Sequence, residues 1–533
     1  MALTLGPILG FRGSDAKTWK VSALIVVDST ENPTLTYSVN AQPPQSVSQP
    51  ATLAEFKKQV VLRFDFDVLR PAGKSEATVK YEVAGSSNIF FVPGQETSLQ
   101  MAYTSCNGFS SPAAVKGIPK GSTPLERWQD LLEKHKGDAE RGDDLHFHLL
   151  LMGGDQVYGD SVFAAIPELQ RWSELDPEDQ VEEKPVPKKI IEAIDEHYFK
   201  AIYCSRWSAK SAAPVAQAMA SIPSLMMWDD HDIFDGWGSY DAEWLAAPIP
   251  QAIFQIARKW FRVFQQRISS TGPVPAGNWP NPNNPGFSWF RRIDNVGILA
   301  PDLRSERSME QILSTRTWND LIGVLDSFGD RTKPENRNAD GLSHLLVMSS
   351  IPVIYPSFEY AEALLGLIPG HQDLEDDMRD HWRSRPHMGE RRRLIRKLFD
   401  FATNCRTRVT ILSGDVHVPA MGLAESSRLE HVGEAATITQ LISTGIVHPS
   451  GGAFVTWALD KLFAGFENEV ERGITERMLE LPDSGRRMLP KRNWLALEFS
   501  PASTGEKNQK LWARWWLEGE KQHSYTKVIG AVT

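Results

Sequence analysis

Three short segments place acidic residues, with a histidine or tyrosine, directly after an apolar run. They are Gly154-Asp155-Gln156-Val157-Tyr158, Trp228-Asp229-Asp230-His231-Asp232 and Ser413-Gly414-Asp415-Val416-His417. A carboxylate has two oxygens and can bridge a pair of cations. Two neighbouring cations can hold both the attacking and the leaving oxygen of a phosphoryl displacement. Asp155 is the candidate bridge, and Tyr158 on the same loop suits a hard trivalent ion as a phenolate. Asp230 is the ligand candidate of the second segment. His231 is placed to give a proton to a phosphoryl oxygen or leaving group, with Asp232 orienting its imidazole. Asp415 and His417 are two residues apart, so on an extended segment they share a side. Each motif alone also has a plain reading: a turn with a packed Tyr, a capped surface turn, a salt-bridged loop pair. Their common context, the end of a strand candidate in one α/β region, is what a built site requires. Carboxylates gathered there repel one another unless cations sit among them.

The elements that must position these residues are short. Residues 149–152, 225–227 and 409–412 are apolar runs bounded by Gly or charge, which predicts buried strands. Parallel in one sheet, they would open their C-terminal ends onto one crevice. Residues 99–104 form a further strand candidate ending at Ser105-Cys106-Asn107-Gly108. A thiolate at Cys106 suits iron or zinc, although a lone buried Cys is more often a small core residue. Helical patterns cover residues 124–135, 188–202, 250–268 and 388–403, with strands at 296–300, 345–348, 494–499 and 510–517. Polar residues 174–189 read as a surface loop, and the prolines of 271–286 exclude a helix or a central strand. Trp512, Trp515 and Trp516 either pack in the core or shape the cleft.

Residues 1–97 read as all-β. Leu62, Phe64, Phe66 and Val68 alternate with Arg63, Asp65 and Asp67, and strand candidates at 21–27, 35–39, 78–83 and 88–92 are separated by turns. A small N-terminal β-sandwich domain over 1–97, followed by a catalytic domain over 98–533, is expected. The 533 residues are too many for one ordinary core. A net charge of −10 argues against a general nucleic-acid binder. It leaves a small phosphorylated substrate open, because bound cations reverse the local field. Residues 1–8 lack the basic and apolar regions of a signal peptide, and three cysteines suit a reducing compartment. No run reaches the roughly 20 apolar residues of a membrane span. A cytoplasmic location is expected, although a mature secreted form would read the same.

The order Ser105-Cys106-Asn107, Gly154-Asp155-Gln156-Val157-Tyr158-Gly159-Asp160, Trp228 to Asp232 and Ser413 to His417 resembles the alkaline phosphatase D (PhoD-like) branch of the metallophosphoesterases. Ala300-Pro301-Asp302-Leu303-Arg304 is similar to that family's Asp-x-Arg segment. The resemblance implies a four-layer αββα catalytic domain, with the N-terminal β domain packed on it, and a binuclear or larger metal centre. Cys106, Asp155, Tyr158 and His417 would hold one ion, iron, with Asp155 bridging. Asp230 and Asp415 would hold the second, calcium, manganese or zinc. His231 takes the place of the family's transition-state histidine, and Arg304 that of a bidentate phosphate contact. The implied activity is metal-dependent hydrolysis of phosphoric esters, monoester or diester, through a hydroxide bridging the cations. Two rivals stand beside it: a non-catalytic binding protein on a degenerate scaffold, and a metal-dependent hydrolase of non-phosphate esters.

Overall fold

The computed structural model describes residues 3–30, 32–137, 145–182, 184–273, 286–333, 341–356, 382, 384–450, 460, 464, 466–500, 509–520 and 525–532. The strands Leu149–Gly153, Ser224–Met227, Val296–Ala300, His344–Ser349 and Arg408–Ser413 are buried along their whole length. That is why they read as nearly unbroken apolar runs rather than alternating ones.

They fall in two sheets, not one. In a ten-stranded sheet, Leu99–Thr104, Leu149–Gly153 and Ser224–Met227 run parallel side by side. In an eight-stranded sheet, Val296–Ala300, His344–Ser349, Arg408–Ser413 and Thr437–Ile442 do the same. Register levels the C-terminal ends within each sheet. Met152 lies opposite Thr104 and Gly153 opposite Met227, while Ser413 lies opposite both Ser349 and Ile442. The C-terminal strands Asn493–Phe499, Lys510–Leu517 and Tyr525–Gly530 add antiparallel to the first sheet beside Leu99–Thr104.

Successive side chains of a strand point to opposite faces, and the cores follow that rule. Leu150, Met152 and Met226 pack with Trp128 and Leu131 of the helix Glu126–Lys136 and with Ile253 and Phe261 of Pro248–Phe264. Leu149, Leu151, Leu225 and Met227 belong to a second core, with Ile298, Leu346, Met348 and Leu412 of the other sheet. Leu345, Val347, Val409 and Ile411 turn to a third, with Trp318 and Leu321 of Thr315–Asp326 and Leu394 and Leu398 of Met388–Cys405.

The first 97 residues are strands and turns, and they divide between two sheets. Leu35–Val39, Ala77–Val83 and Ser86–Val92 join Gln45–Val47 in a four-stranded sheet. Thr18–Asp28, Gln59–Leu69 and Ala51–Phe56 extend the ten-stranded sheet. The link is Leu5–Ser14, which pairs parallel with Ser224–Met227 through Gly10 opposite Ser224. Sequence reading missed this strand because Gly6, Pro7, Gly10 and Gly13 interrupt its pattern. Leu35, Tyr81 and Phe90 share the core of Leu151, so the N-terminal strands share a core with the sheet that carries the first two acidic motifs.

The helix expected over 188–202 is α-helical over Lys188–His197 and widens into π-type turns over Tyr198–Ser205, a departure often found at functional sites. Its Tyr198 hydroxyl donates to the Ile233 carbonyl, just beyond the second acidic motif. The expected loop 174–189 contains the short helix Pro177–Gln180. Most of 271–286 lies outside the described residues. Among the described residues no helix is long and apolar enough to cross a membrane.

Candidate metal centre

The acidic motifs leave the level rims of the two sheets and meet there. Gly154 has φ +110°, and a Cβ at that position would sit 2.9 Å from the Asp229 Cβ and 3.1 Å from the Ser350 Cβ. Only glycine lets the loop of one sheet pass between the second motif and the other sheet. At Gly414 a Cβ would lie 2.6 Å from the Ser105 Oγ. Within the rim of the ten-stranded sheet Cys106 N–H donates to the Gly154 carbonyl (3.2 Å) and Asn107 N–H to that of Asp155 (2.8 Å), and Ile446 N–H, from the other sheet's rim, donates to the Ser105 carbonyl (3.1 Å). Cys106 (φ +55°), Asp155 (+55°), Asp415 (+72°) and His417 (+52°) all adopt the left-handed backbone. Non-glycine residues rarely do so, and such strain concentrates at functional sites.

One ligand atom each from Asp155, Asp230 and His231 lie within 4.8 Å of one another, and all three residues are buried. This is the one such group of His, Cys, Asp or Glu side chains among the described residues. Cys106 borders it, its Sγ 3.4 Å from the Asp155 Oδ2 and 2.9 Å from the Thr444 Oγ1. Tyr158 stacks on the His231 ring at 4.5 Å between centroids. The Asp155 Oδ1 and the Tyr158 hydroxyl are both buried with no hydrogen-bond partner. Buried polar atoms are almost always satisfied, and two orphaned oxygens of hard-ligand type on one loop fit a bound cation.

The electrostatics agree. Burial raises the Asp155 carboxyl well above the usual range, and the neighbouring Cys106, Asp229 and Asp230 push the same way. Burial also raises the Tyr158 phenol and pushes the Cys106 thiol up to about 11. Burial works against a charge on His231, but Asp160, Asp230 and Asp155 override it and raise that imidazole well above its ordinary value. The pocket demands positive charge.

Asp155, Asp230 and His231 thus converge, with Cys106 and Tyr158 at their edge. Asp415 lies beside the Cys106 thiol, which its charge helps to raise. His417 stacks on His448 at 3.8 Å and stands outside the close group. Burial and that neighbouring imidazole hold His417 well below its ordinary value.

Two expected roles differ in geometry. Asp232 does not orient His231. Its carboxylate accepts from the backbone of Asp155 (2.9 Å), Asp229 (2.9 Å) and Val157 (3.2 Å) and from Gln265 Nε2 (2.6 Å). It ties the first motif to the second, and burial pushes its carboxyl up to about 7. The carboxylate on His231 Nδ1 is Asp160, at 3.0 Å. Arg304 is fully buried, and its guanidinium is bonded to Asp229, to Asp230 (3.3 Å) and to the Trp237 carbonyl (3.1 Å). It balances carboxylates where a phosphate contact was expected.

Asp160, Asp229 and His448 are the residues that sequence reading left unassigned. Asp160 closes the Gly154 to Asp160 motif, and Asp229 opens the second; both were in view without a role. His448 follows the strand Thr437–Ile442 and carries no motif of its own. Trp515 and Trp516 are buried, Trp515 donating to the Ile442 carbonyl (2.9 Å) and Trp516 stacking on Trp494 at 5.4 Å.

A family model described as PhoD related phosphatase matches residues 76–369 and 366–464. An uncharacterized protein of Saccharomyces cerevisiae, YGR266W, is 29% identical over 486 residues, covering 78% of this chain and 66% of its own length. The match begins inside the N-terminal strands, spans every acidic motif and takes in His448. The chain belongs to the PhoD-related phosphatase family.

Proposed function

We propose that the protein hydrolyses phosphoric esters at a metal centre held by Asp155, Asp230 and Cys106, with Tyr158, Asp415 and His417 completing the ligands. The observation that carries this reading is the approach of Asp155, Asp230 and His231 within 4.8 Å beside the unpartnered Asp155 Oδ1 and Tyr158 hydroxyl. Cations bound there would acidify a water and polarise a phosphoryl oxygen. Cys106 suits iron, and the carboxylates suit calcium, manganese or zinc.

The chain's own groups do the rest. Asp160 holds Nδ1 of His231, so Nε2 is the atom that gives a proton to the leaving oxygen. Arg304 keeps Asp229 and Asp230 in place and offsets their charge. Asp232 fixes the Asp155 loop against the Asp229 turn. The three cores support a four-layer αββα arrangement, and residues 98–533 form the catalytic region in this reading.

A panel of phosphomonoesters, phosphodiesters and carboxylesters tests it. Turnover of a phosphoester, lost in His231→Ala and absent with carboxylesters, is the expected result. Carboxylester turnover alone would replace the reading with that of a non-phosphate hydrolase.

A further inference from the structure

A second concentration of charge, of opposite sign, lies on the ten-stranded sheet away from the acidic rim. One row of residues crosses that sheet: Ser224 opposite Gly10, Gly10 opposite Ser22, and Ser22 opposite Asp65. The Arg267 side chain lies over Gly10, where a Cβ would meet its Cδ at 2.5 Å, its Nε at 2.7 Å and its Cζ at 2.9 Å. Arg267 donates to the carbonyls of Gln265 (3.0 Å) and Leu9 (3.2 Å) and to the Ser224 hydroxyl. It is 3% exposed, and its Nε is buried with no partner. Arg63 donates to the Arg267 carbonyl at 2.6 Å and to Asp65 at 2.7 Å. Arg12 sits where the register with Thr18–Asp28 shifts between Phe11 and Gly13, the kind of bulge that re-aims a side chain.

Among the described residues, Asp65 is the one carboxylate paired with Arg12 and Arg63, and Arg267 pairs with none. Asp65 is taken by Arg63 and lies 3.9 Å from the Arg12 Nε. Arg12, whose side chain is 21% exposed, donates no hydrogen bond to another described residue. The guanidiniums act on one another. Burial, then Arg12 and Arg63, push Arg267 down to about 9, and burial, then Arg12, push Arg291 to about 10. Largely buried charge without a counter-charge is costly, and clustered guanidiniums match the planar, multi-oxygen face of a phosphate.

We propose that Arg12, Arg63 and Arg267 form a second anion site, one that takes a phosphate-class oxyanion on the face of the ten-stranded sheet. It is separate from the proposed metal centre. Ser224 begins the strand whose other end leads to Asp229 and Asp230.

Calorimetric titration of inorganic phosphate into the EDTA-treated full chain tests this, with chloride at matched ionic strength as control. Wild type binds phosphate. Arg12→Gln weakens binding roughly ten- to a hundredfold, the range for one lost charge-assisted hydrogen bond. Asp230→Asn keeps the wild-type Kd. Arg63→Gln shows a similar loss and decides the matter should Arg12→Gln fail to fold. The proposal is overturned if wild type shows no phosphate binding beyond chloride, if the arginine variants bind as wild type does, or if Asp230→Asn abolishes the binding.

Discussion

At one end of the strand Ser224–Met227 the chain gathers carboxylates, and beside the other it gathers guanidiniums. Both are groups of like charge largely withdrawn from water. The difference lies in what is left unpaired. At the acidic end two oxygens, the Asp155 Oδ1 and the Tyr158 hydroxyl, have no partner, and Arg304 offsets Asp229 and Asp230. At the basic end Arg12 and Arg63 share one carboxylate, Asp65, and Arg267 is paired with none among the described residues. Each imbalance calls for a ligand of the opposite sign: cations at the rim, an oxyanion on the sheet face.

Substitutions can break that contrast, the largest effect first. Asp155→Asn removes an anionic ligand and the proposed bridge, so bound metal falls to background and phosphoester turnover becomes undetectable, while phosphate binding at the arginines persists. His231→Ala retains metal and lowers turnover by roughly 10²–10⁴-fold, the range for a positioned acid. Unchanged turnover would remove His231 from the mechanism. Arg304→Met leaves Asp229 and Asp230 buried without their counter-charge, and urea unfolding registers a loss of about 3–5 kcal/mol. Asp160→Asn weakens the hold on His231 Nδ1 and lowers turnover by roughly 10–100-fold, as loss of an orienting partner does.

The smallest effect belongs to a carboxylate that is already hydrogen-bonded. Glu76 accepts from His146 and His148, both at 2.8 Å. Against its partial burial, those bonds hold its carboxyl down to about 2. A folded-state value below the unfolded one contributes stability that is present above the unfolded carboxyl range and lost as pH falls towards 2. Glu76→Gln therefore costs under about 1 kcal/mol near neutrality. The variant and wild type converge in urea midpoint as the pH is lowered through that window.

The two charged regions were not equally legible. The carboxylates come in tight sequence clusters behind apolar runs, so Asp155, Asp230 and His231 could be picked out from spacing alone. Their convergence needed two sheets with level rims, and the motif strands do run parallel, but in separate sheets. The roles of Asp232 and Arg304 were not legible because hydrogen-bond partners depend on which way a buried side chain turns. Asp160 rather than Asp232 reaches His231, although both are near neighbours in sequence of a motif residue. The arginines come from positions 12, 63 and 267, and no local pattern ties them together. The strand that unites them, Leu5–Ser14, was itself hidden by its glycines and proline. Residues 1–97 showed their β character through the alternation at Leu62 to Val68. Their merger with the sheet of Ser224–Met227 rests on the pairing at Gly10, which no periodicity reveals.

The most direct test of the central claim is elemental analysis of the purified chain coupled to its phosphoester turnover before and after chelation. Near-stoichiometric metal is expected, with turnover that disappears on chelation and returns with added metal. Phosphoester turnover that survives complete removal of metal would contradict it.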